Sequence, residues 1–295
     1  MLSIHAHPDD ESSKGAATLA HYVADGADVL VVSCTGGERG DLLNQGLLET
    51  APAEAAMAER DLGGLRRIEM ERARSIIGYN HLWLGYEDSG MPDDGVALPP
   101  NCFALIPLEV SAEPLVRIIR DFRPHVVITY DENGGYPHPD HIRTHEVTMF
   151  ALDAAADPSR YPDAGEPWVV NKVYYDRIFN GPRVTAMLDA MRAEHPDSPL
   201  LPELERYAAW VQERPDRATT HVEVGEYFDQ RDAALRCHAS QVAPDSSFFF
   251  WPNELQRAAW PWEDFELARS TIGRELPEDD LFAGITPDTT AGSSA

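Results

Sequence analysis

Two short segments carry imidazole and carboxylate groups at spacings suited to metal chemistry. His7-Pro8-Asp9-Asp10 lies near the N-terminus, and His138-Pro139-Asp140-His141 lies near the middle of the chain. Imidazole nitrogens and carboxylate oxygens are ligands for zinc or iron. A catalytic site of this kind needs about three protein ligands and one position left to water. His7, Asp10 and His141 supply two nitrogens and a carboxylate. Asp9, beside Asp10, points in a different direction and is free to take a proton from the activated water. His138 falls beside the same water. Asp140 is expected to hydrogen-bond His138, fix its tautomer and raise its pKa. The resulting imidazolium would steady a developing oxyanion or protonate a leaving group. Tyr136 follows Gly134-Gly135, a stretch able to carry a hydroxyl into the site. Each cluster taken singly also fits a capped turn. Two of them, each directly behind an apolar strand, point to a site.

The elements that must position these clusters can be read from the pattern. Residues 2–6, 28–35, 81–85 and 125–130 are strand-like apolar runs, and residues 12–24, 66–77, 110–122 and 141–155 have helical periodicity. Alternating strands and helices at these spacings predict an α/β fold: a Rossmann-like, parallel or mostly parallel twisted sheet flanked by helices. Ligands of such sheets sit beyond the carboxyl ends of the strands, where both clusters fall. A smaller C-terminal α+β portion is expected, with strands at 169–177 and 221–224 and helices within 184–214 and 227–241. The aromatic-rich residues 248–262 read as a packed wrap, or else as the hydrophobic wall of a pocket. The expected organisation is a catalytic core over 1–165, a continuation of the same domain over 166–285 forming a helical insertion and pocket wall, and a disordered tail over 286–295. His5, two residues before His7, is expected in the core or behind the ligands. Cys34 is expected in the core, because no paired base accompanies it.

Composition bounds the partners. With 295 residues and 43% hydrophobic content, the chain is long enough for one large core. The formal net charge of -26 argues against a nucleic-acid footprint and against docking on anionic lipid. No apolar run approaches the roughly 18–20 residues of a membrane span. The opening MLSIHAHPDDE reads as neither a signal nor a transit peptide, so a cytoplasmic protein is expected. Cys34, Cys102 and Cys237 are too few and too scattered for a disulfide framework.

HAHPDDES with the downstream GGYPHPDH resembles the PIG-L/LmbE-like family of zinc-dependent N-deacetylases. TGGERGD at 35–41, GGLRRIEM at 63–70, DSGM at 88–91, the segment 123–145 and RDAALRCHASQV at 231–242 extend the resemblance over about residues 1–285. HPDDESSKG, DENGGYPHPDH and the FELARS…LFAGI ending at 265–285 are most similar to the branch acting on mycothiol S-conjugates. The resemblance implies a zinc site, which iron(II) would also fit, at His7, Asp10 and His141. It makes Asp9 the general base, His138 the catalytic histidine with Asp140 as its modulator, and Tyr136 a mobile aid to the oxyanion. Arg66 and Asp88 match positions that hold sugar or inositol hydroxyls, and Lys14 matches a lysine associated with preference for the larger conjugate. His238 and Gln241 match a pattern lining or supporting the site. The implied activity is hydrolysis of the amide of a small-molecule thiol glycoconjugate, giving a mercapturic acid and glucosaminyl-inositol. Deacetylation of N-acetylglucosaminyl-inositol is the competing reading. A non-catalytic sugar- or nucleotide-binding module is the reading from another class, against which no GxGxxG follows the first strand.

Overall fold

The computed structural model describes residues 1–93, 95–212, 215–273 and 275–286. Seven strands form one sheet: β1 (Leu2–His5), β2 (Leu30–Thr35), β3 (Asn80–Tyr86), β4 (Val126–Thr129), β5 (Lys172–Asp176), β6 (Thr220–Glu223) and β7 (Trp262–Ser270). Their order is β3-β2-β1-β4-β5-β7-β6. Strands β1 to β5 are parallel, and β7 runs antiparallel to both β5 and β6. The helices are α1 (Asp10–Ser13), α2 (Ala16–Ala24), α3 (Leu47–Thr50), α4 (Pro52–Ile77), α5 (Leu108–Phe122), α6 (Pro139–Ala156), α7 (Gly181–Glu194), α8 (Leu201–Gln212), α9 (Phe228–Cys237) and α10 (Asn253–Ala259). The fold is therefore the expected mostly parallel α/β sheet with helices on both faces.

Alternation along the strands explains the two layers. Leu2 and Ile4 of β1 and Val32 of β2 face α5 and α6, packing with Leu115, Ile119 and Val147. Val31 faces the other way, toward Leu19 of α2, Met70 of α4 and Phe228 of α9. Strands buried on both faces read as continuous apolar runs, which is how β2 and β4 appear in the sequence. Each fully buried Leu or Ile here, such as Leu2, Ile4 and Ile119, is worth about 1.5–3 kcal/mol relative to exposure. A third apolar cluster lies apart from the sheet. It joins α7, α8 and α10 through Met187, Leu204, Trp251 and Leu255.

Several boundaries differ from expectation. Gly15, at φ 105°, splits the helix expected over 12–24 into α1 and α2. Helix α4 starts at Pro52, with a kink at Asp61, well before the expected residue 66. Gly63 and Gly64 dilute its pattern, and Pro at the first position starts it. The helical stretch expected within 184–214 is made, among the described residues, of α7 and α8, with α7 starting earlier, at Gly181. Strand β7 was not expected at all. Its buried carboxylates disguise the alternation: Glu263 accepts from Thr18 N at 2.8 Å and Thr18 Oγ1 at 2.7 Å, and Asp264 accepts from Trp260 Nε1 at 2.9 Å. Strands β5, β7 and β6 continue the sheet begun by β1 to β4, across the boundary expected at 165. The tail expected to be disordered, 286–295, lies outside the described residues apart from Thr286. Among the described residues, no helix is long and apolar enough to cross a membrane.

Candidate metal centre and active site

Strands β1 and β4 are neighbours, and connections leave them for opposite sides of the sheet, so a crevice opens at their carboxyl ends. The two imidazole-carboxylate clusters meet there. Tyr130, just past β4, ties the two strand ends together: its hydroxyl accepts from Ala6 N at 3.0 Å. The Tyr130 ring stacks on His141, with centroids 4.4 Å apart and planes 9° from parallel.

His7, Asp10 and His141 are buried and bring three ligand atoms within 4.8 Å of one another. His141 Nδ1 lies 3.0 Å from the carbonyl oxygen of Gly134. A carbonyl only accepts, so Nδ1 carries the proton and Nε2 presents a lone pair. That Nε2 is buried with no hydrogen-bond partner, and it lies 3.3 Å from Asp10 Oδ2. His7 Nδ1 is 3.6 Å from the same oxygen. Two imidazole nitrogens and a carboxylate directed at one another are a group that could hold a metal ion. The donor set fits a divalent metal such as zinc. Gly134 is specific to this arrangement: it sits at φ +70°, and a Cβ there would lie 2.6 Å from His141 Cβ. A second group, His7, Asp88 and His138, overlaps the first. Its Asp88 carboxylate already accepts from Gly90 N at 2.8 Å and Arg39 N at 3.0 Å.

The role expected of Asp140 is not the one the structure gives it. Its carboxylate accepts from Ser89 N at 2.9 Å and from Ser89 Oγ, and Oδ2 lies 3.2 Å from His7 Nε2. It does not bond to His138. Only the Asp140 backbone N–H reaches that ring, donating to Nδ1 at 3.1 Å as the first-turn cap of α6. Asp140 therefore orients His7, leaving His7 Nδ1 to face Asp10, as outer carboxylates orient metal-binding histidines. The expected rise in the His138 pKa is reversed. Burial, followed by the neighbouring His7 and His141, pushes it down to about 3. A neutral His138 with its Nδ1 accepting from the backbone presents Nε2–H as a donor. His7 moves the other way. Burial alone would lower it, but Asp10, Asp140 and Asp88 outweigh burial and hold its pKa well above the imidazole range. The pocket draws in positive charge.

Asp9 adopts φ 114°, a left-handed conformation that costs a non-glycine residue on the order of 1–3 kcal/mol. Two contacts hold it: its N–H donates to Glu11 Oε2 at 2.9 Å, and its carboxylate pairs with Arg66 Nη2 at 3.2 Å. Burial raises the Asp9 pKa against the pull of Arg66, which suits a group that must accept a proton. Arg66 itself is buried and donates to Pro8 O at 2.7 Å and Gly37 O at 2.9 Å. It clamps the strand-end loops, and its Nε is left without a hydrogen-bond partner. Gly37, at φ +63°, has no room for a Cβ beside that guanidinium. Asp88 is buried against His7, 3.6 Å from Nε2. Lys14 donates to Asp10 Oδ1 and also lies over the Tyr130 ring, 5.9 Å from its centroid. Tyr136 is 38% exposed, with its ring 4.4 Å from His141, and so lies at the mouth.

An outer layer supports these groups. His5 is in the core, as expected, bonded to Ser3 Oγ at 2.7 Å and to Tyr130 OH at 3.3 Å. His238 pairs with Glu11 at 3.0 Å, both fully buried, and Glu11 in turn receives the Asp9 N–H. Gln241 donates to Asp41 O at 3.0 Å. Cys34 is buried, and burial pushes its thiol up to about 12, so it is no nucleophile. Sequence reasoning missed Ser89, Glu11 and Tyr130. All three lie inside recognised segments, beside the residues singled out. Beyond Lys14 and Tyr136 opens a cleft of about 380 Å³, walled by the third apolar cluster and the end of β5.

Three comparisons set this geometry among known proteins. The model of the family PIG-L, GlcNAc-PI de-N-acetylase, matches residues 2–152. A mycothiol S-conjugate amidase of Streptomyces coelicolor is 50% identical over 97% of this chain and 97% of its own length. The 1D-myo-inositol 2-acetamido-2-deoxy-alpha-D-glucopyranoside deacetylase 1 of Frankia alni is 39% identical over 96% of this chain and 100% of its own. Among solved structures, the N,N'-diacetylchitobiose deacetylase of Pyrococcus horikoshii shares the fold, with a TM-score of 0.59 at 19% identity, covering 98% of this chain and 86% of its own. The family model spans strands β1 to β4 and both imidazole-carboxylate segments, and the full-length relatives carry the match through the rest: this chain belongs to the PIG-L family.

Proposed function

We propose that this protein is a metal-dependent amidase that hydrolyses the amide bond of mycothiol S-conjugates, releasing a mercapturic acid and glucosaminyl-inositol. The observation that carries the hydrolytic chemistry is the buried, unpartnered His141 Nε2 directed at the Asp10 carboxylate. Half-identity to a mycothiol S-conjugate amidase along nearly the whole chain supports the substrate. The deacetylase relative, at 39% identity, makes removal of an acetyl group the competing reaction of the same machinery.

His7, Asp10 and His141 would hold the cation, for which zinc is the first choice and iron(II) fits the same ligands. Bound there, the metal lowers the pKa of a water molecule and draws charge from a carbonyl oxygen. Asp9 takes the proton from the attacking water and delivers it to the departing amine. Arg66 and Glu11 keep Asp9 in the conformation this requires. His138 Nε2–H and the Tyr136 hydroxyl donate to the oxygen that gains charge. Asp140, anchored by Ser89, holds His7 directly, and Lys14 balances the charge on Asp10. Asp88 closes the crevice beside His7.

Paired rates of amine release test the assignment. The zinc-loaded protein is given a mycothiol S-conjugate of a bulky electrophile and, separately, N-acetylglucosaminyl-inositol. A higher kcat/KM for the conjugate is expected. A higher value for the small sugar would keep the chemistry and overturn the substrate.

A further inference from the structure

The cleft beside the metal centre is larger and less polar than a sugar or an acetyl group requires. Its volume of about 380 Å³ is well above the roughly 150 Å³ that accepts a benzene ring. Val184, Met187, Leu204, Phe250, Trp251 and Phe265 are among its lining side chains. A polyol needs directional donors and acceptors on most of its edge, which these do not offer. The cleft is continuous with the reacting centre, because Lys14 and Tyr136 belong to both. Lys14 is bonded to Asp10, and the Tyr136 ring is 4.4 Å from His141. Its apolar walls come from α7, α8 and the 248–251 turn, which pack on one another as a separate small core. The site is thus built before any ligand arrives.

Three basic side chains, Lys14, Arg183 and Arg231, line this cleft; Lys14 is bonded to Asp10 and Arg231 to Asp232. Arg183 lines the cleft, and its one side-chain hydrogen bond among the described residues is a long one, 3.4 Å from Nη1 to Ile178 O. Its remaining N–H groups are available to an acceptor on a bound molecule.

We infer that this cleft binds the acyl half of the substrate, with the apolar or aromatic S-substituent among the α7, α8 and 248–251 side chains and Arg183 donating to the N-acetyl carbonyl. The inference rests on the proposed hydrolysis of S-conjugates and names what that site selects. The glucosaminyl-inositol half then lies on the other side of the metal, outside the cleft.

Binding of N-acetylcysteine thioethers tests this without turnover. S-methyl, S-butyl and S-naphthylmethyl derivatives are titrated calorimetrically into the zinc-loaded protein. Affinity is expected to rise about fourfold for each methylene buried. Ile178, half-buried in the cleft wall between β5 and α7, is replaced in Ile178→Trp to narrow the space. That variant is expected to weaken the naphthylmethyl thioether about tenfold more than the S-methyl one. Phe248→Ala, at a residue 46% exposed in the same wall, gives a second reading if the first variant does not fold, and is expected to weaken the naphthylmethyl thioether selectively. Affinity indifferent to the S-substituent, equal losses across the series, or displacement of the naphthyl thioether by glucosaminyl-inositol would each overturn the inference. Size-dependent binding with no hydrolysis of any conjugate would instead overturn the proposed function and leave the cleft assignment standing.

Discussion

The carboxylate of Asp140 lies 3.2 Å from His7 Nε2 and is fastened on its other side by Ser89, while its own backbone N–H caps the His138 ring. One residue thus fixes two histidines in different ways. The side chain sets the ring of the proposed metal ligand His7, and the main chain sets the lone pair of the proposed donor His138.

Asp140→Asn is therefore expected to act through the metal. Loss of an outer carboxylate on a ligand histidine typically weakens metal binding about 10–100-fold. Competition with a chromogenic chelator measures it. Unchanged zinc affinity with a shifted limb of the pH–rate profile would mean that Asp140 acts on His138 instead.

Arg66 leads to a different split. Its guanidinium bridges Pro8 O, Gly37 O and Asp9, so it positions the base. In Arg66→Lys a point charge replaces the fork. Displacing a reacting group by about 1 Å can cost on the order of 100-fold in rate. The expected result is a kcat lower by roughly that factor with KM nearly kept. A raised KM at constant kcat would show instead that Arg66 grips substrate.

The buried Glu11–His238 pair gives a pH signature in stability. Burial opposes the charge on Glu11, but His238 outweighs it and holds Glu11 down to about 2, while Glu11 raises His238 against its own burial. The Glu11 contribution is complete above its ordinary value of 4.5 and fades as pH falls toward 2. That of His238 is complete below 6.5 and fades as pH rises through its raised value. Breaking a buried pair from one side costs about 3–5 kcal/mol. His238→Gln is expected to lose about that much near pH 5.5 in urea unfolding, and less at pH 9. A deficit that did not change with pH would contradict the pairing.

What could be read from the sequence was local. HPDD and HPDH carry their imidazole and carboxylate groups within four residues, and each follows an apolar strand, so the meeting of His7, Asp10 and His141 at the sheet edge was legible. The partner of Asp140 was not, because Ser89 is 51 positions away and only the fold joins them. The contacts of Arg66 with Pro8, Gly37 and Asp9 and the lowered His138 pKa were hidden for the same reason: burial and long-range contacts decide both. Strand β7 was hidden because Glu263 and Asp264 break the apolar pattern with partners on α2 and beside β6. The cleft could be sensed in the aromatic run 248–262 but not placed. Its walls come from three separate stretches of chain, and no single window holds their pattern.

The most direct test of the catalytic centre separates metal binding from proton transfer at neighbouring residues. Asp9→Asn keeps the size of the side chain and a residue type that tolerates the left-handed backbone. Metal content and the rate of amide hydrolysis are measured together on wild type and variant. The expected result is one zinc per chain in both, with the rate in Asp9→Asn reduced by about 100- to 10,000-fold. Full activity in the variant, or zinc lost along with the rate, would contradict the division of labour between Asp9 and the His7, Asp10, His141 cluster.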